Sequence, residues 1–121
     1  MADRLERIAE DIKREVSSII AREVKDPRLG MISITDVNVS RDLSWAKIYY
    51  SQLGSDEERE RTLEGLNRAR GFIRTELSRR LKIRHTPEII FEFDPSLEQG
   101  AKMDALLRTL QSSRGDDGGH E

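Results

Sequence analysis

The side chains that could do chemistry are concentrated between Arg68 and Arg84. This stretch holds Arg68, Arg70, Arg74, Arg79, Arg80, Lys82 and Arg84 against a single acid, Glu76, in a chain whose formal net charge is −2. Guanidinium and ammonium groups at that density match the phosphates of a nucleic-acid backbone, which they bind by charge and by charge-assisted hydrogen bonds. The same stretch contains Ala69-Arg70-Gly71, a small–basic–glycine triplet where a backbone can bend and a phosphate can come close. A solvated helix face is the bland reading of a charge run. The size of this imbalance favours phosphate binding.

Other chemistries find little to work with. The chain has no cysteine and two histidines, His85 and His120, so thiolate sites and a rigid two-histidine metal site are not expected. Asp36 with Asp42 and Asp94 with Glu98 could approach each other, but carboxylates at turns and helix starts usually serve as caps. No glycine-rich phosphate loop, nucleophile elbow or dinucleotide fingerprint is present. The expectation is a protein that is not an enzyme and needs no cofactor or metal.

The elements that must carry the basic cluster follow from periodicity. Leu5, Ile8, Ala9, Ile12, Val16, Ile19 and Ile20 recur at three- and four-residue spacing, predicting a helix from about Asp3, its N-cap, to Glu23. Asp26-Pro27 ends it. Ile32 and Ile34 alternate in one phase and Val37 and Val39 in the other, so a first strand slips near Thr35-Asp36. Trp45–Leu53 reads as a second strand with Ala46, Ile48 and Tyr50 on one face, paired to the first as a hairpin. Ser55 and Glu58 form a capping box for the next helix. One rod from Asp56 to Lys82 would be about 40 Å long and would overhang so small a domain. A kink at Ala69-Arg70-Gly71 is therefore expected. Glu88–Phe93 is a third strand, and Ser96 with Gln99 would cap a last helix carrying Leu97, Met103, Leu106, Leu107 and Leu110.

At 121 residues the chain is expected to form one domain over residues 1–110, with residues 111–121 a disordered acidic, glycine-rich tail. No apolar run has signal or membrane length, so a soluble, cytoplasmic protein with no membrane partner is expected. The fold class is α+β with the order α-β-β-α-kink-α-β and a C-terminal helix. It calls for a three-stranded mixed sheet with helices on one face. This is the connectivity of a type II KH domain, in which a loop between two helices clamps single-stranded nucleic acid.

Particular motifs narrow the reading. Lys25-Asp26-Pro27-Arg28, Leu53-Gly54-Ser55-Asp56, the run Leu66 to Arg74, the run Leu81 to Glu88, and Phe93-Asp94-Pro95-Ser96 occur in one order across Arg4 to Leu110. In these the chain resembles the ribosome-binding factor A family. That resemblance implies a monomeric, non-catalytic factor that binds 16S rRNA on the free small (30S) ribosomal subunit. It also implies help in late 16S rRNA processing, a part in cold adaptation, and release assisted by a ribosome-associated GTPase. Arg28, Ala69, Arg70, Gly71, Arg74, Ser78, Arg79, Arg80, Lys82 and Arg84 are the candidate RNA-binding residues. A second reading is a protein-interaction module that dimerises through Leu5, Ile12, Val16 and Ile19 of the first helix.

Overall fold

The computed structural model describes residues 3–26, 29, 32–96 and 103–111. Helix α1 (Arg4–Arg22) opens where Asp3 accepts the Glu6 N–H and closes at Glu23, whose N–H returns to the Ile19 carbonyl. Its stripe of Ile12, Val16, Ile19 and Ile20 is buried. Those residues face the chain's own core, so the dimer seam proposed through Ile12, Val16 and Ile19 could form only by opening the domain.

Strands β1 (Ser33–Val39) and β2 (Trp45–Ser51) form the expected antiparallel hairpin. The register shifts between Ile34 and Asp36, where the sequence changes phase. The turn is held by Ser40 and Asp42. The Ser40 hydroxyl donates to the Asp42 carboxylate at 2.9 Å, and that carboxylate also accepts the Ser44 N–H at 3.0 Å. The Ser44 side chain first, then the Ser44 N–H and the Ser40 hydroxyl, hold the Asp42 carboxyl below its ordinary range.

Helix α2 (Asp56–Arg80) begins in the capping box of Ser55 and Glu58. The break expected at Ala69-Arg70-Gly71 is absent: α2 is a single helix of 25 residues, about 37 Å long. The reason lies in the phase of its core stripe. Thr62, Gly65, Leu66, Ile73 and Leu77 are buried and Ala69 packs beside them, whereas Leu63 is 36% exposed. With Ala69 rather than Arg70 facing inward, Arg70 points outward and no break is needed. Gly71 is exposed and has open space where a side chain would project. The rod projects beyond the core at its first turns, which are solvated and acidic.

Strand β3 (Glu88–Phe93) pairs parallel to β2, giving a mixed sheet of order β1-β2-β3. Val37, Ala46, Ile48, Tyr50, Ile89 and Phe91 bury one sheet face against α1 and α2. Tyr50 meets Phe93 edge-on at 5.8 Å, and burial raises the Tyr50 pKa. The Arg59 guanidinium lies 4.9 Å from the centre of the Phe93 ring. After β3, the Asp94 carboxylate accepts the Ser96 N–H at 2.9 Å. Gln99, the expected partner of Ser96, lies outside the described residues. Helix α3 (103–111) follows, and every one of its residues is exposed. The tail from 112 to 121 also lies outside the described residues.

Candidate nucleic-acid interface

The outer face of α2 changes sign along its length. Glu57, Glu60 and Glu64 occupy the N-terminal half, and Arg68 and Arg79 the C-terminal half, with Lys82 just beyond. This polarity matches the helix dipole, which favours acids at the start and bases at the end. Past Leu81 the chain doubles back, and residues 84–86 come to lie against the last turns of the helix. Between them is a groove of about 420 Å³ lined by Arg74, Thr75, Ser78, Arg79, Arg84, His85 and Thr86. Three guanidiniums, an imidazole and three hydroxyls thus line one shallow depression, the Thr75 hydroxyl donating to the Gly71 carbonyl at 3.0 Å. Such a donor set suits phosphate oxygens, which accept several hydrogen bonds at once.

Arg74 fixes that geometry. Its Nε donates to the Pro87 carbonyl at 3.2 Å and its Nη2 to the Thr86 carbonyl at 2.8 Å, with Glu88 at 3.6 Å. The planar guanidinium suits this two-carbonyl grip. Arg79 is 75% exposed and, among the described residues, its one ion pair is with Glu76, at 3.5 Å on the preceding turn. Arg84, Arg70, Arg68 and Lys82 are exposed and make no hydrogen bond or ion pair among the described residues. They keep their charge available to a ligand.

The candidate residues therefore divide. Arg74, Ser78, Arg79 and Arg84 come together in the groove, and Lys82 stands exposed just past the end of α2. Arg70 and Gly71 are exposed on α2 about one turn before Arg74. Ala69 turns inward onto the core. Arg80 points the other way, reaching Glu15 at 3.5 Å, the Ser18 hydroxyl at 3.3 Å and Glu23 at 3.4 Å on α1. Arg28 lies outside the described residues. Thr75 and Thr86 were not singled out by sequence, since an uncharged hydroxyl leaves no mark in a charge count. Thr75, one residue after Arg74 and three before Ser78, was the available signal.

Among the described residues there is no group of three or more His, Asp and Glu side chains that could hold a metal ion. No described helix is long and apolar enough to cross a membrane.

The helix order, mixed sheet and one-sided helix layer place the chain among KH-like α+β domains. The family model for ribosome-binding factor A matches residues 4–107, and the chain belongs to that family. It is 51% identical to ribosome-binding factor A of Caldanaerobacter subterraneus subsp. tengcongensis over 118 residues, 97% of each protein. It is 57% identical to that of Acetivibrio thermocellus over 106 residues, 87% of this chain and 86% of the relative. The solution structure of a putative ribosome-binding factor A from Thermotoga maritima superposes with a TM-score of 0.65 at 35% identity, covering 71% of this chain and 82% of that one. A homology model of the Thermus thermophilus factor, fitted into the cryo-EM map of its complex with the 30S subunit, superposes with a TM-score of 0.60 at 26% identity. It covers 72% of this chain and 91% of that one.

Proposed function

We propose that this protein is a non-catalytic, cytoplasmic assembly factor. It binds the free 30S subunit as a monomer through the 16S rRNA backbone and assists late processing and folding of that RNA. A role in growth at low temperature and release by a ribosome-associated GTPase belong to the same reading. The observation that carries it is the groove at the end of α2, where Arg79 and Arg84 stand exposed around a pocket held open by Arg74. The Thermus thermophilus relative fitted in its 30S complex supports the choice of subunit. Arg84 makes no ion pair among the described residues and Arg79 only an exposed one with Glu76, so phosphate contact breaks little internal bonding, and the released counterions add to the binding free energy.

Sedimentation with purified small subunits, large subunits and complete ribosomes in parallel tests the reading. The protein should travel with free small subunits alone. Equal partition onto large subunits would reduce the groove to a nonspecific polyanion binder, and absence from small subunits would reject the proposal.

A further inference from the structure

Helix α3 carries Met103, Leu106, Leu107 and Leu110 on one stripe, at spacings of three, four and seven residues from the first. All four are between 47% and 55% exposed. An amphipathic helix with so complete an apolar stripe is built to lie against another surface. A groove of about 450 Å³ on the same chain offers one. Its apolar wall is made by Ile20 and Ala21 of α1 and Val24 just past its end, with Leu29, Ile32 and Ile34 at the entry to β1.

Three relationships select this groove as the seat. First, Ser17, Ile20 and Ala21 line it from the last turns of α1 and Val24 from just past its C-cap, the sequence spacing of three, four and seven that the α3 stripe also has. Second, the segment leading to α3 leaves the sheet at Asp94, at the end of β3, whose carboxylate reaches across β2 to Thr35 on β1. The Thr35 hydroxyl donates to Asp94 at 2.6 Å, and Ser33 and Ile34, the residues before Thr35, line the groove. Met103 follows Asp94 by nine residues, a tether of at most about 30 Å. Third, β1 is an edge strand, and a covering helix is one way such an edge is protected from unwanted pairing. Charge agrees in sign. Asp26 is the charged residue among the described groove-lining residues, while the segment 101–114 carries Lys102, Arg108 and Arg114 against Asp104.

We infer that α3 docks back on its own chain, seating the Met103–Leu110 stripe in the groove between α1 and the start of β1. The helix layer then runs α2, α1, α3, because the groove lies on the flank of α1 away from Glu15 and Ser18, which meet Arg80 of α2. The cationic groove at the end of α2 stays uncovered, so docking closes the β1 edge without masking the proposed RNA surface.

The chain has no cysteine, so a nitroxide can be placed at one site. Gln111→Cys puts it on the last turn of α3, at the border of the apolar stripe. In the full-length 15N-labelled protein the amides of Ala21, Val24, Ile32, Ser33 and Ile34 should lose signal, and reducing the nitroxide should restore it. Adding Leu106→Ser and Leu107→Ser to the labelled chain should abolish the loss while the rest of the spectrum stays folded. Loss spread evenly over the chain, loss centred on the open sheet face at Lys47 and Tyr49, or loss that survives the serine pair would overturn the inference. Loss appearing only on an unlabelled-site 15N chain mixed with a spin-labelled 14N chain would also overturn it, because the occupant would then be a second copy.

Discussion

Arg74 and Thr86 are joined by a hydrogen bond of 2.8 Å from the guanidinium Nη2 to the backbone carbonyl, and a second bond to Pro87 runs beside it. The contact closes the connection between α2 and β3 and sets Arg84 and His85 opposite Ser78 and Arg79. One cation of the cluster is thus committed to building the surface, while its neighbours are left to use it.

The first expected outcome follows from that commitment. Arg74→Gln should lower stability by about 1 kcal/mol, less than a buried charged hydrogen bond contributes because the side chain is 39% exposed and solvent screens it. Arg79→Gln and Arg84→Gln, both exposed, should each stay within about 0.5 kcal/mol of the parent. Urea unfolding measures all three. An unchanged midpoint for Arg74→Gln would show that the loop is held by other contacts. Arg74→Lys should not restore stability, since an ammonium lacks the planar fork that reaches both carbonyls.

Gly71→Ala gives a direct reading of the helix. At an interior helical position with open space around it, alanine should raise stability by about 0.5 to 1 kcal/mol. The thermal midpoint should rise. A fall would mean that Gly71 adopts a conformation alanine resists, and would restore the break that the sequence suggests.

Much of the fold could be read from the sequence because its signals are local. The Asp3 cap, the Ser55–Glu58 box, the phase slip at Thr35-Asp36 and the alternation of Ile89, Phe91 and Phe93 depend on near neighbours. The break expected in α2 rested on the length of an unbroken rod and left the inward-facing Ala69 out of account. A small residue packed on a core carries almost no hydrophobic signal, yet here it sets the phase. The cationic cluster was likewise visible as a charge imbalance. Its division was not, because Arg80 is drawn away by Glu15, 65 positions distant in the chain. Arg74 is held by backbone carbonyls that any residue would offer.

Arg80 supplies a control. Arg80→Gln should lower stability by about 1 kcal/mol, as befits partly buried ion pairs, and a double-mutant cycle with Glu15→Gln should recover a coupling of similar size. The salt dependence of RNA binding should not change. If it does change, Arg80 leaves α1 to meet the RNA.

The contact between Thr35 and Asp94 should be visible in acid. The Thr35 hydroxyl, followed by the Ser96 N–H and side chain, holds the folded Asp94 carboxyl below its usual range. A depressed folded value adds stability above the unfolded pKa, and that contribution disappears as pH falls through the folded value. Thr35→Val should move the Asp94 titration seen by NMR upward and shrink this part of the acid loss. An unmoved titration would assign the shift to the Ser96 interactions alone.

The central claim is that exposed cations at the end of α2 bind the phosphates of small-subunit RNA. Affinity for purified 30S subunits, measured across a salt series for the parent and for the combined Arg79→Gln, Lys82→Gln, Arg84→Gln variant, tests it most directly. Arg74 is left in place so that the groove keeps its shape. If each cation meets one phosphate, the logarithmic salt slope should flatten by about 2 to 3 units, at about 0.7 to 0.9 per contact. The circular dichroism and thermal midpoint should match the parent. Weaker binding with that flattened slope is the predicted result; an unchanged slope with full affinity would contradict the account and place the RNA surface elsewhere on the domain.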